Sequence, residues 1–247
     1  MAALNDIHGN LCALEAVLRE VARSDVEAIV VGGDIVWGPH PREILDRLAE
    51  VELPLIFIRG NADREISERM DESAGMDHVI AQINLWCSDR LTEQQRHWLG
   101  SQSRMATMDV DCLGRTLFCH ASPRSDEEII TTATTDERFM EVLVAALEDV
   151  VVCGHTHIQF DRTVRDRRLI NAGSVGLPYE GKPGAYWTLL GPDVSFQRTT
   201  YDIAEAAKGM LASGCPHVQE TFIDPITDPP TRDDAIRHFE SMAAKSG

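Results

Sequence analysis

Basic residues are scarce in this chain. Lys and Arg number 23 of its 247 residues against 40 Asp and Glu, a formal net charge of −17. A protein that grips nucleic acid through a broad basic face needs clustered Lys and Arg to neutralise phosphates, so that class is excluded. A small phosphate-bearing ligand is not excluded, because a bound divalent cation reverses the sign of a site locally. No run of about 18 apolar residues occurs, which rules out a helical membrane span. The opening MAALNDIHGN has neither the basic n-region nor the apolar h-region of a signal peptide, and a soluble, cytoplasmic protein is expected. Paired-cysteine motifs are missing too. Cys12, Cys87, Cys112, Cys119, Cys153 and Cys215 are scattered without a Cys-x-x-Cys, several of them in strand-like runs such as TLFCH and VVVCG. Buried, reduced thiols are expected rather than a disulfide framework.

What is present is an ordinary globular balance, 43% apolar and 26% charged, with chain enough to bury a sizeable core. Short apolar runs alternate with amphipathic segments at the start, the pattern of βα units. Strands are expected at residues 2–4, 27–31 and 55–58, with helices at 11–21 and 42–48. From 64 to about 103 the apolar spacing is helical throughout and reads as an insertion lying over one edge of the sheet. Strand signals return at 108–112 and 116–119 around a turn at Leu113-Gly114-Arg115, then, after a helix at 136–147, at 150–153, 159–164, 169–171, 185–190 and 194–199. The second half is therefore richer in hairpins than in crossovers. Beyond residue 202 a helix at 203–211, a stretch holding Pro216, Pro225, Pro229 and Pro230, and a helix at 232–244 read as an extension packed on the same domain.

Five short motifs each follow directly on a strand: Asp6-Ile7-His8, Gly33-Asp34, Gly60-Asn61, His120, and Gly154-His155-Thr156-His157. In open α/β sheets ligands gather at the carboxyl ends of strands, so these side chains can converge across long sequence distances. An extended exit from the strand would put Asp6 and His8 on one side, and likewise His155 and His157, because the period is two. Two Asp, one Asn and four His suit borderline divalent metals such as Mn, Fe or Zn, whereas a Ca or Mg site would be nearly all oxygen. Seven donors are too many for one ion and right for two that share a carboxylate. A lone Asp-x-His or Gly-Asp means little; the ordered set carries the signal.

These motifs resemble the signature of the calcineurin-like metallophosphoesterases, which runs D-x-H, G-D, G-N-H-[DE], H and G-H-x-H. The segments GDIVWGPHP, CHASPR and NAGSVGLP are similar to the compact prokaryotic phosphodiesterase branch of that family. The resemblance covers residues 1–201 as a catalytic domain and leaves the 64–103 insertion and the 202–247 extension unvouched for. It implies an α/β (α+β) fold, a two-sheet mixed β-sandwich flanked by helices. It also implies two divalent ions, Mn foremost with Fe, Zn or Ni as alternatives. One would be held by Asp6, His8, Asp34 and His157, the other by Asp34, Asn61, His120 and His155, with Asp34 bridging. The implied reaction is hydrolysis of a phosphoester, most simply a phosphodiester of a small molecule or nucleotide, by in-line attack of a bridging hydroxide, with Asn61 also touching the phosphate. A homodimer is implied by analogy alone.

Two departures from the pattern matter. Gly60-Asn61-Ala62-Asp63 carries Ala62 where the family has the histidine credited with helping the leaving oxygen, and a methyl group donates no proton. His40, after the Gly33-Asp34 loop, is the candidate replacement. Asp63, deprived of its histidine partner, is a candidate helix cap. Only four residues precede Asn5-Asp6, so a frayed sheet edge is expected there. Arg59 and Arg124 flank the motifs and are candidates for binding phosphate, since guanidinium pairs bidentately with it. Asn171-Ala172-Gly173-Ser174 resembles the family's closing loop and is expected to support the ligand loops. Ala62 keeps two other functions in view: a binding or scaffold protein of the same fold without strong turnover, and a protein phosphatase or dinucleoside polyphosphatase. General-acid help is worth about 10² to 10⁴-fold. With Ala62 in place, hydrolysis of a series of aryl phosphodiesters is expected to depend steeply on leaving-group pKa; nearly equal rates across the series would show that another acid acts.

Overall fold

The computed structural model describes residues 1–246. Ten strands form two five-stranded sheets. The first joins β1 (Ala2–Leu4), β2 (Ile29–Val31), β3 (Leu55–Phe57), β9 (Ala185–Leu190) and β10 (Val194–Thr199) in the order β10-β9-β1-β2-β3. The second joins β4 (Met105–Val110), β5 (Gly114–Cys119), β6 (Val150–Cys153), β7 (Phe160–Val164) and β8 (Arg167–Asn171) in the order β4-β5-β6-β8-β7. Each sheet is mixed: β1, β2 and β3 run parallel, as do β5, β6 and β8, while hairpin partners complete the edges. This is the two-sheet sandwich flanked by helices that the resemblance implies.

The alternation of side chains along each strand divides the core into three layers. Ala3, Val30, Phe118, Val152 and Ile170 pack between the sheets. Their neighbours Ala2, Leu4, Ile29 and Val31 face the other way, onto α1 (Leu11–Val21) and α2 (Pro41–Ala49). On the second sheet Leu117, Cys119, Val151, Cys153 and Leu169 meet Phe139, Val142 and Leu143 of α6 (Asp136–Leu143). Strands buried on both faces are why VVVC and IVV read as unbroken apolar runs.

Several expectations need correction. The frayed edge expected at the N-terminus is the centre of a sheet: β1 lies between β9 and β2, and Ala2, Ala3 and Leu4 are fully buried. Three residues suffice because neighbours on both sides satisfy the backbone. The β4–β5 turn falls at residues 111–113, where Cys112 has φ of 63° and Gly114, at 70°, already opens β5. The helix at 136 ends at Leu143 rather than 147, leaving Leu147 92% exposed. The proline-containing stretch after α7 (Ile203–Ser213) is partly helical. A π-helical turn at Gln219–Ile223 runs into α8 (Asp224–Thr227), because Pro225 sits in the first turn where no intrahelical N–H is required.

The helical segment beside β3 begins three residues earlier than its spacing suggests. α3 (Asn61–Glu68) starts at Asn61 itself, followed by α4 (His78–Arg90) and α5 (Glu93–Gly100). Trp98 of α5 packs edge-on against Phe57 of β3, with ring centroids 4.9 Å apart. Beyond residue 202, Ala206 and Met210 of α7 join the core under α1, and α9 (Arg232–Ser246) reaches the loop after β6 through Arg232, which donates to the Gln159 carbonyl at 2.7 Å.

The loop after β8 closes the front of the sandwich onto β1. Val175 N–H donates to the Asn5 carbonyl and Gly176 N–H to that of Asp6, both at 2.9 Å. Gly176 lies so close that a Cβ would stand 1.8 Å from the Ile7 carbonyl oxygen, which also accepts the Asn10 N–H. Neither strand of backbone can retreat without breaking these bonds. Gly176→Ala is therefore expected to destabilise the fold by more than about 2 kcal/mol, read as a fall in the urea midpoint.

Candidate metal centre

Asp6 and His8 follow β1, Asp34 follows β2, Asn61 follows β3, His120 follows β5, and His155 and His157 follow β6. The carboxyl ends of the parallel strands from both sheets face one another, and all seven side chains meet there. Two groups result, each with its donor atoms within 4.8 Å of one another: Asp6, His8 and His157, and Asp34, His120 and His155. His8 Nε2 lies 3.0 Å from His157 Nε2 and 3.9 Å from Asp34 Oδ2. His120 Nε2 lies 3.5 Å from that same Asp34 oxygen and 3.9 Å from Asp6 Oδ1. Asp34 is therefore within reach of both groups.

The convergence does not arise by the extended exit that alternation suggests. Asp6, His8, Asp34, His155 and His157 all have positive φ, at 53°, 47°, 51°, 68° and 58°. Left-handed backbone at non-glycine residues is strained by about 1 kcal/mol or more apiece and persists where surrounding structure over-determines it. Here it tightens the turns, so that His155 and His157 join different groups instead of pointing one way. The closing loop holds the turns in place. Ser174 Oγ donates to the Asp6 carbonyl at 2.8 Å, and Asn171 Nδ2 donates to the Gly154 carbonyl at 2.6 Å.

Each imidazole has one nitrogen tied to a backbone carbonyl: His8 Nδ1 to Trp37 at 3.3 Å, His120 Nδ1 to Gly32 at 2.9 Å, His157 Nδ1 to Leu177 at 2.7 Å and His155 Nε2 to Glu127 at 3.2 Å. A carbonyl only accepts, so the tied nitrogen carries the hydrogen and the other faces inward, with a lone pair to offer whenever the ring is neutral. This is the outer-shell arrangement that orients metal-ligating histidines. Asp6 Oδ2 accepts the His155 N–H at 3.0 Å, yet its Oδ1 is buried with no hydrogen-bond partner. The inward amide atom of Asn61, Oδ1, lies 3.2 Å from His120 Nε2 and 3.3 Å from His155 Nδ1. Turning the amide would aim its N–H groups at those nitrogens, but a cation at the same place requires the oxygen there. An orphaned carboxylate oxygen, an amide oxygen and four inward lone pairs fit divalent cations.

Burial would by itself raise the Asp34 carboxyl, but His120 and His8 hold it well below the usual carboxylate range. Asp6 is likewise lowered, against burial, chiefly by His157. Burial pushes His8 down to about 4, helped by His157, and His155 to about 4, helped by His120. His120 goes the other way: burial opposes its charge, but Asp34 and Asp6 raise it to about 10. The two carboxylates thus favour positive charge at His120.

The remaining candidates have other partners. Asp63 accepts the N–H of Ile35 at 2.9 Å and of Gly60 at 3.1 Å, tying the Asp34 loop to the first turn of α3; burial and then Asp34 raise its carboxyl to about 7. His40 precedes α2, its Nδ1 bonds the Gly9 carbonyl at 3.0 Å and its Nε2 lies against Gly209 of α7. Arg59 donates to the Gly100 carbonyl at 2.7 Å, anchoring the end of α5. Arg124 is held by Glu128 at 2.7 Å and Glu141 at 3.3 Å. The Arg124 guanidinium is spent on internal acceptors, whereas in Arg59 Nη1 has the Gly100 carbonyl and the buried Nε has no partner. Three contributors escaped the motif reading. Trp37 meets His8 edge-on at 5.4 Å and Phe222 at 5.0 Å, and Tyr179 stacks on His157 at 4.8 Å. Glu65 receives Asn84 Nδ2 at 3.1 Å and faces Asn61 Nδ2 at 3.5 Å. Only Glu65 left a signal: it is four residues from Asn61, hence on the same helix face.

Paired mixed sheets with buried carboxylates and imidazoles at their strand ends define a class of α/β proteins built to hold divalent cations. The calcineurin-like phosphoesterase superfamily domain matches residues 1–190, and the chain belongs to that superfamily. Among its relatives, phosphodiesterase YfcE of Escherichia coli is 26% identical over 194 residues, covering 75% of this chain and 84% of that protein. An uncharacterised protein of Methanocaldococcus jannaschii is 26% identical over 238 residues, covering 87% of this chain and 93% of its own. The crystal structure of a metallophosphoesterase from Sphaerobacter thermophilus superimposes with a TM-score of 0.73 at 27% identity, over 92% of this chain and 98% of that one. A hypothetical protein from Pyrococcus horikoshii shares the fold at TM-score 0.80 and 18% identity, over 94% and 98% of the two chains.

A cation held by His120 would displace its proton, whose pKa of about 10 lies above the ordinary 6.5. Affinity for Mn²⁺ is therefore expected to rise with pH through neutrality and to level off above about 10. Calorimetry at pH 7.5 in buffers of different ionisation enthalpy is expected to show about one proton more released by the wild type than by His120→Asn. Equal release from both would contradict the assignment.

Proposed function

We propose that the protein is a dinuclear metal-dependent phosphoesterase acting on a small phosphodiester. The observation that carries this reading is the donor set: four imidazoles each locked by a carbonyl so that the free nitrogen points inward, around Asp6 Oδ1, which is buried without a partner. Asp6, His8, Asp34 and His157 would hold one cation, and Asp34, Asn61, His120 and His155 the other. Bound divalent cations, with Mn²⁺ the first choice for this mixed N/O set and Fe, Zn or Ni alternatives, supply positive charge against phosphate oxygens and activate water.

The chain's own groups do the positioning. Ala62 N–H donates to Asp34 Oδ1 at 2.9 Å, which leaves Oδ2 turned toward His8 and His120. Gly33, with φ of 93°, lies where a Cβ would be 2.6 Å from His120 Nδ1, so glycine lets that ring reach its carbonyl partner. The family membership and the YfcE likeness support phosphoester chemistry; preference for a diester is part of the proposal.

Ala62 favours a second reading, a binding protein of this fold with little turnover. The strained, fully oriented donor set argues for the enzyme, since a scaffold has no physical need for it. Hydrolysis of bis-p-nitrophenyl phosphate with Mn²⁺ is expected, and it should fall by at least about 10³-fold in Asp34→Ala and in His120→Ala. Activity unchanged in both variants would overturn the site, and two bound metals without turnover in the wild type would favour the binding protein.

A further inference from the structure

Beside the cluster lies a cavity of about 220 Å³ whose walls come from two sources. The loop after β2 contributes Trp37, and the helical segment contributes Ala62 and Glu65 from α3 and Met76, Asp77 and Ile80 from the entry to α4. Its floor is His8, Asp34 and Asn61, so anything seated in it abuts the proposed metal centre. It exists at this point because Ala62 ends in a methyl group; a longer side chain there would enter it. Three walls are large and apolar: an indole, a thioether and a branched aliphatic chain.

The polar content of the cavity is one-sided. None of the residues lining it is Lys or Arg, while Glu65 and Asp77 are both carboxylic. Asp77 caps α4, its Oδ1 accepting the Val79 N–H at 2.9 Å. Asn84 steadies Glu65 from behind, and Met76 in turn lies 3.5 Å from Asn84 Nδ2. A second phosphate or a carboxylate on the ligand would find no cation here and would meet two acids. The volume is below the roughly 300–1,000 Å³ of pockets for drug-sized ligands but above the cavity of about 150 Å³ that admits benzene.

We infer that this cavity is the subsite for one organic substituent of the phosphoester, and that it takes a single uncharged aromatic or compact aliphatic group. The inference rests on the phosphoesterase reading and deepens it by naming the substrate class: diesters with a neutral, apolar arm, in preference to polyphosphates or acidic phosphopeptides. The helical segment is then part of substrate recognition, through Met76, Asp77 and Ile80.

The test is equilibrium binding of non-activated esters to the Mn²⁺-loaded protein, by calorimetry, alongside turnover of bis-p-nitrophenyl phosphate. Diphenyl phosphate is expected to bind at least about tenfold more tightly than dimethyl phosphate, the scale on which an apolar pocket discriminates. Bis(4-carboxyphenyl) phosphate is expected to bind more weakly than diphenyl phosphate. Ile80 is 39% exposed at the rim, so Ile80→Asp should fold normally; it is expected to bring the phenyl-to-methyl ratio near one with Mn²⁺ content unchanged. Met76→Asp should act alike. Equal affinity for the two simple diesters in the wild type, tight binding of the dicarboxylate, or a ratio unmoved in both variants would overturn the subsite. The two readings fail separately. Turnover without aryl preference sinks only the subsite, whereas aryl preference without turnover sinks only the enzyme.

Discussion

Two buried carboxylates and four inward imidazole nitrogens share one water-poor gap between the ends of two sheets, and their lone pairs cannot satisfy one another. That electrostatic demand for positive charge organises everything near it. It shows in His120, which Asp34 and Asp6 raise to about 10 against the cost of burial. His8 and His155 stay neutral because burial and the neighbouring imidazoles leave no room for further charge. Divalent cations would meet the same demand more completely, since each can be approached by several of these donors at once.

Holding such a cluster together is costly, and the fold distributes the work. Five of the seven donors sit in left-handed backbone, a conformation that extended strands would relax away from if their ends were free. The closing loop prevents this by bonding the backbone of Asn5 and Asp6 and, through Asn171, the carbonyl of Gly154. Aromatic packing does the same for the rings. Phe222 backs Trp37, which backs His8, and Phe239 of α9 lies 6.1 Å from Tyr179, which stacks on His157. Residues far beyond the last strand therefore bear on the orientation of two imidazoles.

The sequence was most legible where local pattern and burial agree. The apolar runs IVV and VVVC announce strands covered on both faces, and the helix expected at 11–21 has those bounds in the structure. It was less legible where the outcome depends on a neighbour distant in sequence. β1 looks too short to be anything but an edge, and only its two flanking strands make it central. Arg124 looks available for phosphate, until Glu128 and Glu141 are seen to hold it.

Residue type and order by themselves determined the class of chemistry, because a carboxylate, an imidazole or an amide offers the same donor atom wherever it is placed, and strand ends bring such atoms to one side of a sheet. They also determined that position 62 carries a methyl group. Alternation alone would have aimed His155 and His157 one way; the tertiary structure parts them into the groups that the resemblance implies, because left-handed turns override the strand's period. The tertiary structure alone decided that Trp37, Glu65, Met76 and Ile80 share a cavity with the cluster. These residues come from loops and helices with no common period, and only long-range packing places them together.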